Sequence, residues 1–461
     1  MFKKKQHIHF VGIGGIGMSG IAEVLINLGH KVTGSDLKES DITRNLVALK
    51  AEISYEHRPE NVVGADVVVV SSAVGRDNPE VQAARRNFIP VIPRAEMLAE
   101  LMRLKYAVAV AGSHGKTTTT SLVGTIFGAA GLDPTLVIGG RLGSIGSNAR
   151  LGSGDFLIAE ADESDGSFLL LSPTIAVVTN IDLEHLDYYR DLDHLKETFL
   201  AFVNRVPFYG SSVLCLDDAN VQSLIPNLKK RYLTYGFSRQ ADVQAADLSS
   251  EGHRSSYDLF YHGDRLGRIR LNLPGRHNVL NSLAAAGVAL ELEIPFEAVV
   301  RGMDQIGIIH RRFEIKGDVG GITVIDDYGH HPTEIRSTLA ALKACYPGRR
   351  TVVVFQPHRY TRTKALFEQF TAAFNQADRL YLTEIYPAGE KPIEGVSGQG
   401  LFESIRAHGY READFEPDIS LLAARVVSGL KKDDVVLTLG AGSISRVSEE
   451  ILRLLKHGAG H

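Results

Sequence analysis

The chain has 461 residues, of which 44% are hydrophobic and 23% charged, with a formal charge of −4. That length suits about three domains with cores of their own, and the near-neutral, unclustered charge excludes an electrostatic footprint for nucleic acid. No run reaches the roughly 18 apolar residues of a membrane span, and Cys215 and Cys345 sit far apart in apolar contexts, as buried small hydrophobes of a reducing compartment rather than a disulfide or metal clip.

Lys3–Lys5 before the mostly apolar stretch Ile8–Leu28 imitate a signal peptide. The glycines of that stretch, with His9, Ser19, Glu23 and Asn27, suit a strand–turn–helix instead. The expectation is a cytoplasmic protein without membrane insertion. His7–Val11 and Lys31–Gly34 read as strands around a helix, and Ala65–Ser71 as a buried parallel strand. Between the first two lies Gly12-Ile13-Gly14-Gly15-Ile16-Gly17, with Asp36 ending the second strand. A G-x-G-x-x-G turn with an acid about 20 residues on lets a diphosphate approach the backbone closely. It does not name the nucleotide: NAD and a UDP-sugar both carry the pyrophosphate and the ribose hydroxyls that Asp36 would meet.

The second α/β unit opens with Ala107–Thr120, AVAVAGSHGKTTTT. A strand that breaks at Gly112-Ser113-His114-Gly115 and enters a helix at Lys116 aims backbone N–H groups at one spot, a cradle for phosphate. Lys116 can neutralise terminal phosphates, and Thr117 is placed to ligate magnesium. The loop is shorter than G-x-x-x-x-G-K-[ST], with Val110 at the earlier glycine position, which narrows the class of ATP users. Asp155–Ala161 and Thr174–Asn180 read as further strands. The first ends in Glu160-Ala161-Asp162-Glu163-Ser164-Asp165, four carboxylates within six residues, a density that calls for a cation. The second ends in Asn180–Asp187, so Glu160 and His185 could join Thr117 around magnesium, although imidazole is an unusual ligand for that ion. Residues 242–273 alternate apolar with polar and predict an antiparallel hairpin region, followed by a helix from His277–Asn278.

A third segment begins after Ile306–Ile309. It predicts strands at Ile322–Asp326, Thr351–Gln356, Arg379–Glu384 and Asp434–Leu439, with helices at Thr333–Ala344 and Lys364–Asn375. Two strand ends, Asp326–Pro332 and Gln356–Thr363, bring His330, His331, His358, Arg359 and Arg362 to one crevice. Paired arginines suit a carboxylate held in bidentate fashion; no cysteine supports zinc. Alternating strands and helices throughout predict parallel sheets with ligands at the carboxyl ends of the strands. The fold class is α/β with three domains: Rossmann-like over 1–104, a central P-loop ATPase-type unit over 105–309, and Rossmann-like again over 310–461.

With these residues in hand, the chain resembles the Mur ligases of bacterial peptidoglycan synthesis. The resemblance runs in order through Gly12–Gly20, Gly112–Thr120, Glu160–Asp165, Pro274–Asn281, His310–Glu314, Asp326–Pro332 and Pro357–Thr363. It implies an enzyme that passes the γ-phosphoryl of ATP to the lactyl carboxylate of UDP-N-acetylmuramate, after which the amine of L-alanine attacks the acyl phosphate. By resemblance, Gly12, Gly14, Gly15, Gly17, Ser19, Asp36 and Ser71 hold the UDP-sugar. Gly112, Ser113, His114, Gly115, Lys116, Thr117 and Thr118 wrap the ATP phosphates, and Thr117, Glu160 and His185 hold Mg2+. His277, Asn278 and Asn281 are adenine-side contacts, Asp327 meets the ribose, and Arg311 or Arg312 reaches the phosphates across a domain joint. Tyr328, His330, His358, Arg359 and Arg362 line the amino-acid site, with His330 as proton acceptor beside the catalytic Lys116, Glu160 and His185. Some sister ligases carry a carbamylated lysine; Glu160–Ser172 contains no lysine. A ligase for a recycled tripeptide and an NAD-dependent oxidoreductase are the alternatives, and either a monomer or a homodimer is compatible.

Overall fold

The computed structural model describes residues 5–71, 73–139 and 149–458; Lys3 and Lys4 of the basic leader lie outside them. Among the described residues the strands form three sheets, of five, ten and six. The first runs Glu52–Ser54, Lys31–Ser35, His7–Val11, Val67–Val70, Val91–Pro93, all parallel. Val67–Val70 is short and continuously apolar because helices cover both faces of a parallel sheet. The buried Glu80 accepts from the Ser35 hydroxyl at 2.5 Å and so ties its helix, Pro79–Arg86, to a strand end next to the glycine turn.

The ten-stranded sheet is parallel at its centre, where Ser211–Cys215, Ile175–Val178, Tyr106–Ala111 and Phe156–Glu160 lie side by side. The predicted hairpin region is a three-stranded antiparallel meander, Val243–Glu251, Arg254–Tyr261 and Asp264–Leu271, joined to the same sheet. Its first turn carries His253, whose ring meets Tyr346 at 5.0 Å and Phe313 at 6.1 Å in the third unit. Helix Lys116–Ala129, which leaves the phosphate loop, is buried along most of its length against Arg276–Glu291 and Phe296–Asp304. Threonine, alanine and glycine let these helices come close: a Cβ on Gly302 would stand 2.5 Å from Ile126 Cα.

The third sheet runs Glu314–Val319, Ile322–Asp327, Val435–Leu439, Thr351–Phe355, Arg379–Leu382, Ala413–Phe415, antiparallel only at the first pair. Pro332 opens helix Pro332–Cys345, where its missing N–H costs nothing. The helix predicted over Lys364–Asn375 is instead two short ones, Tyr360–Ala365 and Phe367–Thr371, turning at Leu366. The turn lets Leu366, Phe370 and Phe374 all bury against the sheet around Phe355. Cys215 is buried and Cys345 half-buried. Among the described residues no helix is long and apolar enough to cross a membrane.

Candidate functional site

Gly112 (φ +132°) and Gly115 (φ +83°) turn the chain between strand Tyr106–Ala111 and helix Lys116–Ala129. The loop is strapped to the neighbouring strand end. The Asn180 side chain accepts from His114 N at 2.9 Å and donates to His114 O at 3.0 Å, and Ser113 Oγ accepts from Asp182 N at 2.8 Å. Lys116 Nζ donates to Gly112 O at 2.6 Å and to Glu163 Oε1 at 2.7 Å. Burial works against the charge on Lys116, yet Glu163 outweighs it and holds the pKa above the ordinary lysine value.

The carboxylates separate into two groups. Glu160 accepts from Gly139 N at 2.8 Å and from the Thr117 hydroxyl, and burial raises its pKa. Glu163 lies with Glu184 and His185, their ligating atoms within 4.8 Å of one another. His185 Nε2 is 3.6 Å from Glu163 and 3.8 Å from Glu184. Thr117 and Glu160 are thus brought together, while the carboxylates beside His185 are Glu163 and Glu184.

Next to the loop a cleft of about 370 Å³ opens between the second and third units. His114, Gly115 and Thr118 border it on one side, His277, Asn278 and Asn281 on another, and Arg312 and Asp327 opposite. Cys215 forms part of its wall, and burial pushes the thiol up to about 12. Asp327 accepts from Phe313 N and Gly329 N, each at 2.8 Å, and burial lifts its pKa to about 6. Arg311 turns the other way, donating to Asp326 Oδ2 at 3.1 Å and to Gly440 O, so Arg312 is the arginine at the cleft.

His114 spans the joint. Its Nε2 meets Asp182 at 3.1 Å and its Nδ1 meets Glu334 of the third unit at 3.3 Å, with the His331 ring 4.7 Å away. Burial opposes the imidazolium, but Glu334 and Asp182 outweigh it and lift the pKa to about 10. Thr333 adds a bond from its hydroxyl to Asp182 at 2.7 Å.

The histidine–arginine crevice faces the second carboxylate group. Arg362 Nε donates to Glu184 at 3.1 Å and Arg362 Nη1 to His358 Nδ1 at 3.1 Å. His330 Nδ1 lies 3.0 Å from Tyr328 O, and a carbonyl can only accept, so that nitrogen carries the proton and Nε2 keeps its lone pair. Burial, then Arg362, lowers His330 to about 4; burial, then His330 and Arg362, lowers His358 to about 3. Both rings are neutral at pH 7. His358 stacks on Tyr386 at 5.5 Å and 9°. A second cavity of about 460 Å³ is bordered by Glu184, His185, Arg359 and Arg362.

In the first unit Asp36 Oδ2 accepts from Gly14 N at 2.8 Å, and Ser35 O accepts from Gly12 N and Ile13 N. Ser71 stands against Gly12, and Ser19 Oγ donates to Ile16 O at 3.0 Å. Sequence reasoning missed Glu184, Glu334, Asp182 and Arg94 as participants. Glu184 and Asp182 lay inside the quoted polar cluster, and Glu334 follows His331-Pro332 at capping-box spacing; Arg94 carries no local signal.

Three family profiles match the chain in order: Mur ligase family, catalytic domain, over residues 7–106; Mur ligase middle domain, over 110–289; and Mur ligase, glutamate ligase domain, over 311–442. The chain belongs to the Mur ligase family. Among curated Mur ligases, the UDP-N-acetylmuramate–L-alanine ligase of Syntrophobacter fumaroxidans is 59% identical over 461 residues, covering 100% of this chain and 98% of that protein. The enzyme of the same name from Geobacter sulfurreducens is 57% identical over 457 residues, covering 99% of each. The solved UDP-N-acetylmuramate–alanine ligase of Thermotoga maritima superposes with a TM-score of 0.83 at 29% identity, covering 98% of this chain and 100% of that one. A murein peptide ligase from Psychrobacter arcticus has the same fold, with a TM-score of 0.71 at 22% identity and 98% of each chain covered. The glycine turn at 12–17 therefore belongs to a Mur ligase domain and not to an NAD-dependent oxidoreductase.

Proposed function

We propose that the protein ligates L-alanine to the lactyl carboxylate of UDP-N-acetylmuramate at the expense of ATP, releasing ADP and phosphate. The observation that carries this reading is the juxtaposition of the phosphate loop with a crevice of neutral histidines and paired arginines, two domains meeting at His114 and Glu184. The curated relatives' common name favours the same reaction. We take the boundaries as 1–104 for the UDP-sugar, 105–309 for ATP and 310–461 for the amino acid, in keeping with the breaks between the three sheets.

A carboxylate resists attack by an amine because its oxygen is a poor leaving group. Phosphorylation corrects this: the carboxylate oxygen attacks the γ-phosphorus of ATP, and ADP departs. Two anions must be brought together, so Lys116, the loop N–H groups at 112–118 and Arg312 act by electrostatic stabilisation and positioning. A divalent cation fits the donor set, because Glu163 Oε2 is buried without a hydrogen-bond partner and Glu160 is a half-buried carboxylate without an ion-pair partner among the described residues. Thr117 with Glu160, and His185 with Glu163, would hold Mg2+, which when bound screens phosphate charge. His277, Asn278 and Asn281 face the adenine and Asp327 the ribose. Gly12, Gly14, Gly15, Gly17, Ser19, Asp36 and Ser71 hold the UDP-sugar.

In the second step Arg359 and Arg362 clamp the alanine carboxylate, while Tyr328, His330 and His358 surround it. His330 Nε2 takes the proton released as the amine nitrogen bonds to the acyl carbon and phosphate leaves. Burial lowers His330 most and remains with substrate bound, but the substrate carboxylate would offset the Arg362 contribution, so the ring becomes a better base when alanine is present. ADP release with UDP-N-acetylmuramate and ATP tests the whole. Sustained turnover is expected with L-alanine and none without an amine; turnover driven by a tripeptide in place of alanine would overturn the assignment.

A further inference from the structure

Arg94 begins helix Arg94–Met102 at the carboxyl end of strand Val91–Pro93, the same sheet edge that carries the glycine turn. Its guanidinium lies against Gly17: a Cβ there would stand 2.8 Å from Arg94 Nη1 and 3.1 Å from Cδ. Of the side chains nearest Gly12, Gly14, Gly15 and Gly17 among the described residues, Arg94 is the one cation, and Asp36 is an anion. Several N–H groups of the turn already donate within the protein, Gly12 and Ile13 to Ser35 O, Gly14 to Asp36 and Gly15 to Gly12 O, so a diphosphate brought there would gain from a full positive charge. From the other side Arg94 Nη2 reaches the second domain, donating to Asp162 Oδ2 at 2.8 Å. Asp162 belongs to the carboxylate run beyond Glu160, and its other oxygen accepts from Ser164 N.

As a structural tie this pair is weak. Its side chains are 23% and 44% exposed, and pairs in such settings contribute little to stability. As a holding position it is well placed: one donor of a five-donor fork is engaged, and the others have no acceptor among the described residues.

We propose that Arg94 is an anion clamp for the diphosphate of the UDP-sugar, held in readiness by Asp162 and exchanging that carboxylate for the substrate. The inference rests on the UDP-sugar reading of the first domain. It adds a residue outside the glycine turn and makes Asp162 a competitor of the substrate, so that filling the first domain frees a carboxylate beside the phosphate loop.

Calorimetry on the full chain with UDP-N-acetylmuramate, and separately with ATP, tests it. Arg94→Ala is expected to weaken UDP-sugar binding about tenfold or more and to leave ATP binding within about twofold. Arg94→Lys, which keeps charge but loses the fork, should fall between. Asp162→Asn should bind the UDP-sugar as tightly as the native chain or a few-fold more tightly, since the competing acceptor has lost its charge. Native-like UDP-sugar affinity in Arg94→Ala would overturn the proposal. So would an Asp162→Asn variant weakened as much as Arg94→Ala, because a structural tie fails from either end. Should Arg94→Ala not fold, Arg94→Lys and Asp162→Asn still decide between clamp and tie. Failure of the native chain to bind the UDP-sugar at all would instead remove the reading of the first domain.

Discussion

At the residue scale, His114 shows how one side chain joins chemistry to architecture. It sits in the phosphate loop, yet its two nitrogens meet carboxylates of different domains. A histidine whose pKa rises on folding binds its proton more tightly in the folded state. Its contribution is therefore complete below the ordinary value of about 6.5 and is lost as pH climbs through about 10. Thermal unfolding of the native chain should fall off between pH 7 and 10 more steeply than that of His114→Gln; equal slopes would show that the imidazolium does not bridge the domains. The sequence made His114 visible as a loop residue but not as a bridge, because Glu334 lies 220 positions away. Glu184 was hidden for the same reason: its partner Arg362 is 178 residues distant. Motifs report short-range geometry; ion pairs between domains have no period.

At the scale of elements, the phosphate loop owes its shape to two glycines in unlike surroundings. A Cβ on Gly112 would overlap Thr179, whose backbone N would stand 3.0 Å away, and the strand there cannot retreat. A Cβ on Gly115 would meet the Asn281 side chain, which can rotate. Gly112→Ala is expected to cost about 2 kcal/mol or more, from positive φ and overlap together, and to abolish ATP binding. Gly115→Ala should cost about 1 kcal/mol and retain weak binding. Chemical denaturation with nucleotide titration checks both, and a larger loss at Gly115 would reverse the assignment of the rigid wall. Elements with strong patterns were legible in the sequence: the β-branched runs Val67–Val70 and Thr351–Phe355, and the Pro-capped helix Pro332–Cys345. Ser211–Cys215 and Tyr232–Gly236 were not, since serine, threonine and glycine mask strands whose burial comes from their neighbours. The break at Leu366 was illegible because it answers to Phe355 on another element.

At the scale of the whole molecule, three sheets present the carboxyl ends of their parallel strands to shared clefts, and each joint is held by few charged contacts. Arg94–Asp162 links the first domain to the second; His114–Glu334 and Arg362–Glu184 link the second to the third. Glu334 carries a further load, accepting from His330 N at 3.0 Å and His331 N at 3.2 Å. Exclusion of water from an acyl phosphate then depends on His114–Glu334 and Arg362–Glu184 forming together.

Cys215 turns this into something that can be timed. Its sulfur lies in the wall of the cleft between the second and third domains, buried from solvent and held as the unreactive thiol. A thiol-directed dye can reach it only during moments of parting, so the labelling rate is a clock for how often the joint gapes. The native chain should label slowly, more slowly still with ATP, and Glu334→Ala should quicken the rate about tenfold, the factor that 1.4 kcal/mol of lost docking represents. Identical rates in the two proteins would mean that the joint is fastened elsewhere.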